Sequence, residues 1–318
     1  FGNIYPYQMF ITSITLLFIS GASLYFWFET LAPKQGWTSV LYRFSLLVFG
    51  FLALKWFVLG HRIPVWEVLI TLGFLTLILW MLKGRSPRFY LVTSIIIFIL
   101  AVPLQIWIGP EDYWYKARYF VNCEMCNIYN VYDLKIMVTG FFVTGWYPVF
   151  PWLGFGFLGY WFASYLEKGS FEKPQMLAYS ALLIGIVSLF IGYAFLGGNK
   201  FVGFGMWPIA TLPTILIYSA VNILLTMGIY KVFDENKKAL GYISNIFYNI
   251  GQNAIKFYIS AIILWELIMK NTNYQLYGFW DAVFVAMLMN LGLYVLFRRS
   301  RYKPHDQLGQ KDKKSIIS

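Results

Sequence analysis

The residues with the clearest chemical potential sit where an apolar chain should have none. Lys256 stands about eleven residues into a hydrophobic run near 245–269, a depth at which a charged side chain costs about 2.5–3.5 kcal/mol on insertion scales. Gln252 and Asn249 precede it by four and seven residues, with Asn253 beside them, so a helix gathers these groups into one polar stripe. The stripe is expected to face the interior of a bundle, where it either binds a substrate or hydrogen-bonds neighbouring helices. Glu67 lies one turn inside another run, at about 64–83, close in sequence to His61 and Arg62. A carboxylate in an apolar, partly buried place holds its proton more tightly and can serve as general base; ion pairing with Lys55 or Arg62 is the other reading. Glu266 and Asp281 end and begin the last two runs.

Arg43, toward one end of the second run, either snorkels to the membrane surface on its long stem or offers a guanidinium suited to phosphate. The segment GWYPVFPWLGFGFLGYW, Gly145 to Trp161, crowds prolines, glycines and aromatics at the mouth of a hydrophobic span and includes Trp146 and Trp152. Backbone this irregular is tolerated in lipid only where protein covers it or where it lines a cavity. It reads either as a packed, site-forming turn or as a structural helix start. Trp146 and Lys256 are expected to face an interior cavity rather than lipid.

Cys123 and Cys126 form a C-x-x-C pair, the spacing of a redox pair, half a zinc site or a small disulfide. Structural zinc needs four ligands, and the only histidines are His61 and His305, the latter in the tail. No metal is expected. A structural disulfide in an oxidising space leads, followed by free thiols and then redox catalysis, which lacks a thioredoxin-like context. No nucleophile–base pair of the serine-hydrolase kind and no phosphate-cradling P-loop is visible.

The elements that must position these residues follow from composition. Hydrophobic residues make up 59% of the 318 residues and charged residues 12%, against roughly 25% charged in soluble domains. Several runs approach the roughly 20 residues that cross a hydrocarbon core. The expected fold is all-α, a polytopic transmembrane bundle of about nine spans: about 8–29, 38–59, 64–83, 89–109, 147–166, 175–197, 208–232, 245–269 and 279–297. Aromatics, 21% of the chain, fall at the span ends as interfacial belts do. One membrane domain covers 1–300. An outer loop at 110–138 is long enough to be a lid folded back on the bundle, or else an interfacial anchor. The tail at 301–318 is basic and expected to be disordered.

The net charge of +11 belongs to short loops and the tail, where it orients the chain, and implies no nucleic-acid partner. By the positive-inside rule the tail is cytoplasmic, together with the loops carrying Lys83, Arg85 and Arg88, Lys168 and Lys173, and Lys237 and Lys238. Phe1 then lies outside, and the protein is expected in the cell membrane. FGNIYPYQ lacks the basic start of a signal peptide, and no 20–50-residue repeat marks an inverted-repeat transporter.

Four short segments carry a family resemblance. The Gly145–Trp161 run resembles the "PLFPWLG…LLG" signature of the heparan-alpha-glucosaminide N-acetyltransferase-like membrane acyltransferases. LFISGASL, Leu17 to Leu24, is similar to that family's "LFLFLSGxSL" helix, and EVLITLG, Glu67 to Gly73, sits where the family has a "GILHLIG"-like helix. IGQNAIKFY, Ile250 to Tyr258, resembles the "GRNALxxY" helix of the broader acyltransferase group. The matches run in the expected order. Gln252 replaces the family arginine, Ala261 stands near the place of a usual "LH", and Gly145 replaces an acidic residue. The family's opening helix, with a basic start and often a histidine, has no counterpart here: either it precedes Phe1, which would make ten spans, or the protein never had it.

The resemblance implies an integral-membrane acyltransferase that moves an acyl group from cytoplasmic acyl-CoA, a substrate rather than a resident cofactor, to a sugar amine or hydroxyl. The acceptor would be a glycan or glycolipid at the membrane or outside. Glu67 and Lys256 are then the candidate catalytic residues; Arg43, at the phosphates of coenzyme A, and Trp146, Trp152, Gln252 and Asn253 are the candidate binding residues. The altered motif positions favour the alternative, a catalytically silent subunit of a larger membrane complex or homo-oligomer. A lipid or small-solute carrier is a third reading.

Overall fold

Apolar residues run all round these helices instead of along one stripe, the pattern of helices surrounded by hydrocarbon or by other helices. The structure, a computed structural model, describes residues 5–30, 32–53, 68–108, 138–144, 148–195 and 212–233, all within the compact unit Gly2–Glu235. Regular structure among the described residues is entirely helical. Helix α1 is Tyr5–Thr30 and α2 is Ala32–Ser45, which continues through a π-helical turn, Leu46–Gly50, into a last turn, Phe51–Ala53. Then come α3 (Val68–Met81), α4 (Pro87–Ile108), a second π-helical turn (Gly140–Thr144), α5 (Val149–Leu166), α6 (Glu172–Phe195) and α7 (Leu212–Phe233). Each expected span from 8–29 to 208–232 overlaps one of these helices in its described residues, while those at 245–269 and 279–297 lie outside the described residues.

Helix α5 is the core, buried continuously from Pro151 to Ser164. It packs chiefly on α1 and α4, with α3 beside it, while α2 lies on α3, and α6 and α7 pair with each other. Glycines set these distances, because only a missing Cβ lets backbones meet. A Cβ on Gly21 of α1 would strike the backbone of Gly156, and one on Gly159 would strike the backbone of Phe18. On other sides of α5, a Cβ on Gly154 would meet the Phe98 ring and one on Gly156 would meet Leu75. Gly73 of α3 likewise admits Val48 from the π-helical turn of α2.

Polarity is arranged as in a membrane bundle. Small polar side chains are buried, among them Thr71, Thr76, Ser94 and Asn222, while Leu183, Ile186, Val187 and Phe190 of α6 are exposed. Ser94 of α4 donates to the Gly154 carbonyl at 2.8 Å, a polar tie inside the dry core. Three helical segments, Gly36–Ala53, Glu172–Ile191 and Leu212–Val232, are long and apolar enough to cross a membrane. Two details differ from the sequence reading. Among the described residues, the irregular entry to α5 is Pro148–Phe150, with Phe150 at φ −102°, ψ 122°, and the helix is regular from Pro151 on. The π-helical turn Gly140–Thr144 was not legible in a short apolar stretch without period.

Candidate functional site at the cationic end

One end of the bundle collects almost all of its polar chemistry. The Tyr25 hydroxyl of α1 donates to Oε2 of Glu167, just past α5, which puts the C-terminal ends of α1 and α5 together. Lys83, just past α3, donates to the carbonyl of Phe28 at 2.9 Å. That carbonyl belongs to the last turn of α1, where the helix dipole favours a cation. Tyr90, in the first turn of α4, meets Tyr160 of α5 in a tilted contact with ring centroids 4.4 Å apart and donates to the Leu82 carbonyl at 2.7 Å. Helices α1, α3 and α5 therefore end where α4 begins. Phe171, before α6, meets Tyr230 near the end of α7 at 5.3 Å, so α6 begins where α7 ends.

The turns at this end carry Lys83, Arg85, Arg88, Lys168 and Lys173, with Lys231 in the last turn of α7. The opposite helix ends, at Tyr5, Val68, Ile108, Val149, Phe195 and Leu212, carry no charged residue among the described residues. Below the charges lies an aromatic layer. Tyr160 meets Tyr25 edge-on at 5.1 Å and Phe28 meets Trp80 edge-on at 5.3 Å; the Lys83 ammonium lies 5.1 Å from the Trp80 ring centroid.

Arg43 joins this end from α2. Its guanidinium carbon lies 3.9 Å over the ring of Trp27, in the last turn of α1. Trp27 is 7% exposed. A cation over an indole is stabilised by about 0.5–2 kcal/mol, but the ring uses only the flat face of the guanidinium. Its in-plane N–H donors meet no carboxylate among the described residues, and they form the fork that matches phosphate or carboxylate oxygens. The site can thus hold an anionic group against an aromatic floor.

Trp152, the other described residue expected to bind substrate, is 1% exposed. It lies in an aromatic row with Phe155, at 6.4 Å, which in turn meets Phe98 at 4.8 Å. This row is at the start of α5, away from the cationic end, so Arg43 and Trp152 are not brought together. Glu67, Cys123, Cys126, Trp146, Gln252, Asn253 and Lys256 lie outside the described residues. Sequence reasoning missed Tyr25, Tyr90, Tyr160, Glu167 and Trp27 as members of one site. Its only signal was aromatics at span ends, which an interfacial belt explains equally well.

The motif segments also meet. Gly21, from LFISGASL, packs on Gly156 of the Gly145–Trp161 run, and Leu75, two residues beyond Gly73, fills the space over Gly156. Compared with known proteins, the family described as "Heparan-alpha-glucosaminide N-acetyltransferase, catalytic" matches residues 2–196. No curated protein and no solved structure matches the chain.

Proposed function

Because this chain belongs to the heparan-alpha-glucosaminide N-acetyltransferase catalytic family, we propose that it is an integral-membrane acyltransferase using cytoplasmic acyl-CoA as donor. The acceptor is a sugar amine or hydroxyl at the membrane or on its outer side. The observation that carries this reading is Arg43, held over Trp27 at 3.9 Å among the cations of one bundle end. A donor with several phosphates is drawn to such an end, and its thioester, at the far end of a long arm, can then reach into the bundle. The cationic end is cytoplasmic in this reading, by the positive-inside rule, with Phe1 outside and the tail inside across about nine spans. Trp146, Trp152, Gln252 and Asn253 are the substrate-binding residues of this reading.

In the transfer, the acceptor nitrogen or oxygen attacks the thioester carbonyl while Glu67 takes its proton. The new C–N or C–O bond forms, the C–S bond breaks, and the proton passes to the departing coenzyme A thiolate. The Lys256 ammonium stabilises the charge that develops on the carbonyl oxygen. The test is reconstitution in vesicles with labelled acetyl-CoA and glucosamine. Transfer is expected with the native chain and lost in Lys256→Met and Glu67→Gln while folding is kept.

The second reading, a catalytically silent subunit of a larger membrane assembly, is favoured by a separate observation. The motif glycines Gly21, Gly156 and Gly159 are used in helix packing, so these signatures can persist without catalysis. Gln252 and Gly145 stand where the family has arginine and an acidic residue. Absence of transfer from a folded, reconstituted chain would select this reading.

A further inference from the structure

We propose that Ser219 and Asn222 of α7 form a binding site for a single neutral hydroxyl group at mid-membrane depth. Both fall in the middle of Leu212–Val232, a segment apolar enough to cross a membrane. Asn222 is 2% exposed and Ser219 6%. The Asn222 Nδ2 group donates to the Tyr218 carbonyl at 2.8 Å. The Asn222 Oδ1 and Ser219 Oγ atoms, both buried, find no hydrogen-bond partner among the described residues. A buried polar atom without a partner keeps the whole cost of leaving water, and native interiors rarely tolerate two side by side.

Geometry makes these two atoms one site. Residues three apart are neighbours on a helix, with Cβ atoms about 5–6 Å apart, so one oxygen between them can bond to both. They do not face α6: Gly185 of α6 meets Pro213 and Ile217, and at about 100° per residue both Ser219 and Asn222 lie more than a third of a turn from Ile217. Helix α7 also meets α1, α4 and α5.

Chemistry selects the ligand. Oδ1 only accepts, so a ligand that satisfies it must donate a proton to Asn222; Ser219 can then donate to that ligand or accept from it. Neither residue carries a charge, and neither is paired with one among the described residues, so a bound ion would be costly there. A hydroxyl, which is donor and acceptor at one atom, meets both demands. Water and a sugar or alcohol hydroxyl are its two sources. The inference goes beyond the acyl-transfer reading and stands whether or not that reading holds.

The experiment is thermal unfolding of the full chain with Ser219→Ala, Asn222→Leu and the pair, in dodecyl maltoside and in lauryldimethylamine oxide, which has no hydroxyl. If one shared hydroxyl is bound, each single variant lowers Tm by about 2–4 °C, and the pair loses no more than the larger single loss. The same pattern in both detergents identifies water; the pattern in maltoside alone identifies a sugar hydroxyl. A rise in Tm, no change, or simply additive losses overturns the site. Should Asn222→Leu fail to fold, Ser219→Ala set against Ser219→Thr, which keeps the hydroxyl, carries the same test. Loss with alanine and recovery with threonine is then expected, and equal behaviour of the two overturns it.

Discussion

Arg43 shows how a single side chain acquires a direction. Its stem leaves α2, yet its guanidinium is positioned by Trp27 of α1, at 3.9 Å. With one face on the indole, its edge donors are left for an anion. Arg43→Met is expected to raise KM for acyl-CoA about tenfold or more with little change in kcat, the pattern of lost ground-state binding. Arg43→Lys is expected to recover only part, since an ammonium neither stacks nor forks. Equal KM values across the three proteins would detach Arg43 from the donor. Tyr25 acts on structure instead: it ties the ends of α1 and α5 through Glu167. Tyr25→Phe is expected to destabilise the protein by about 1 kcal/mol, read as a lower unfolding midpoint in detergent.

At the scale of elements, the crossing of α1 and α5 depends on atoms that are not there. Gly21 and Gly159 each abut backbone of the opposite helix, which cannot move aside as a side chain can. Gly159→Ala and Gly21→Ala are expected to cost at least the roughly 1–3 kcal/mol typical of overpacked cores. Gly228 of α7 provides the contrast, because a Cβ there meets nothing within 4 Å. Gly228→Ala is expected to leave stability unchanged or raise it by about 0.5–1 kcal/mol, through helix propensity alone. Melting the three variants side by side separates close packing from propensity; equal shifts would show that the crossing is looser than its geometry.

For the molecule as a whole, the described cations gather at one end, on turns far apart in sequence such as Lys83–Arg88 and Lys168–Lys173. If that end is cytoplasmic, single cysteines introduced at Arg88 and Lys173, after Cys123 and Cys126 are changed to serine, should resist a membrane-impermeant thiol reagent in intact cells. One introduced at Tyr115 should react. The reverse labelling would invert the protein, moving acyl-CoA and acceptor to the other sides.

What the sequence by itself determined is the solvent. Long apolar runs in a chain with only 12% charged residues specify membrane helices because transfer from water to lipid is a sum over residues that needs no partner. The relation among LFISGASL, EVLITLG and the Gly145–Trp161 run was legible only as family likeness. That Gly21 rests on Gly156, that Trp27 underlies Arg43, and that Tyr25 reaches Glu167, 142 residues away, was decided by tertiary structure. So was the burial of Ser219 Oγ and Asn222 Oδ1 without hydrogen-bond partners among the described residues. Their residue types stand plainly in the chain, but burial and hydrogen-bond satisfaction depend on which surfaces meet, and helices this uniformly apolar carry no stripe to announce it.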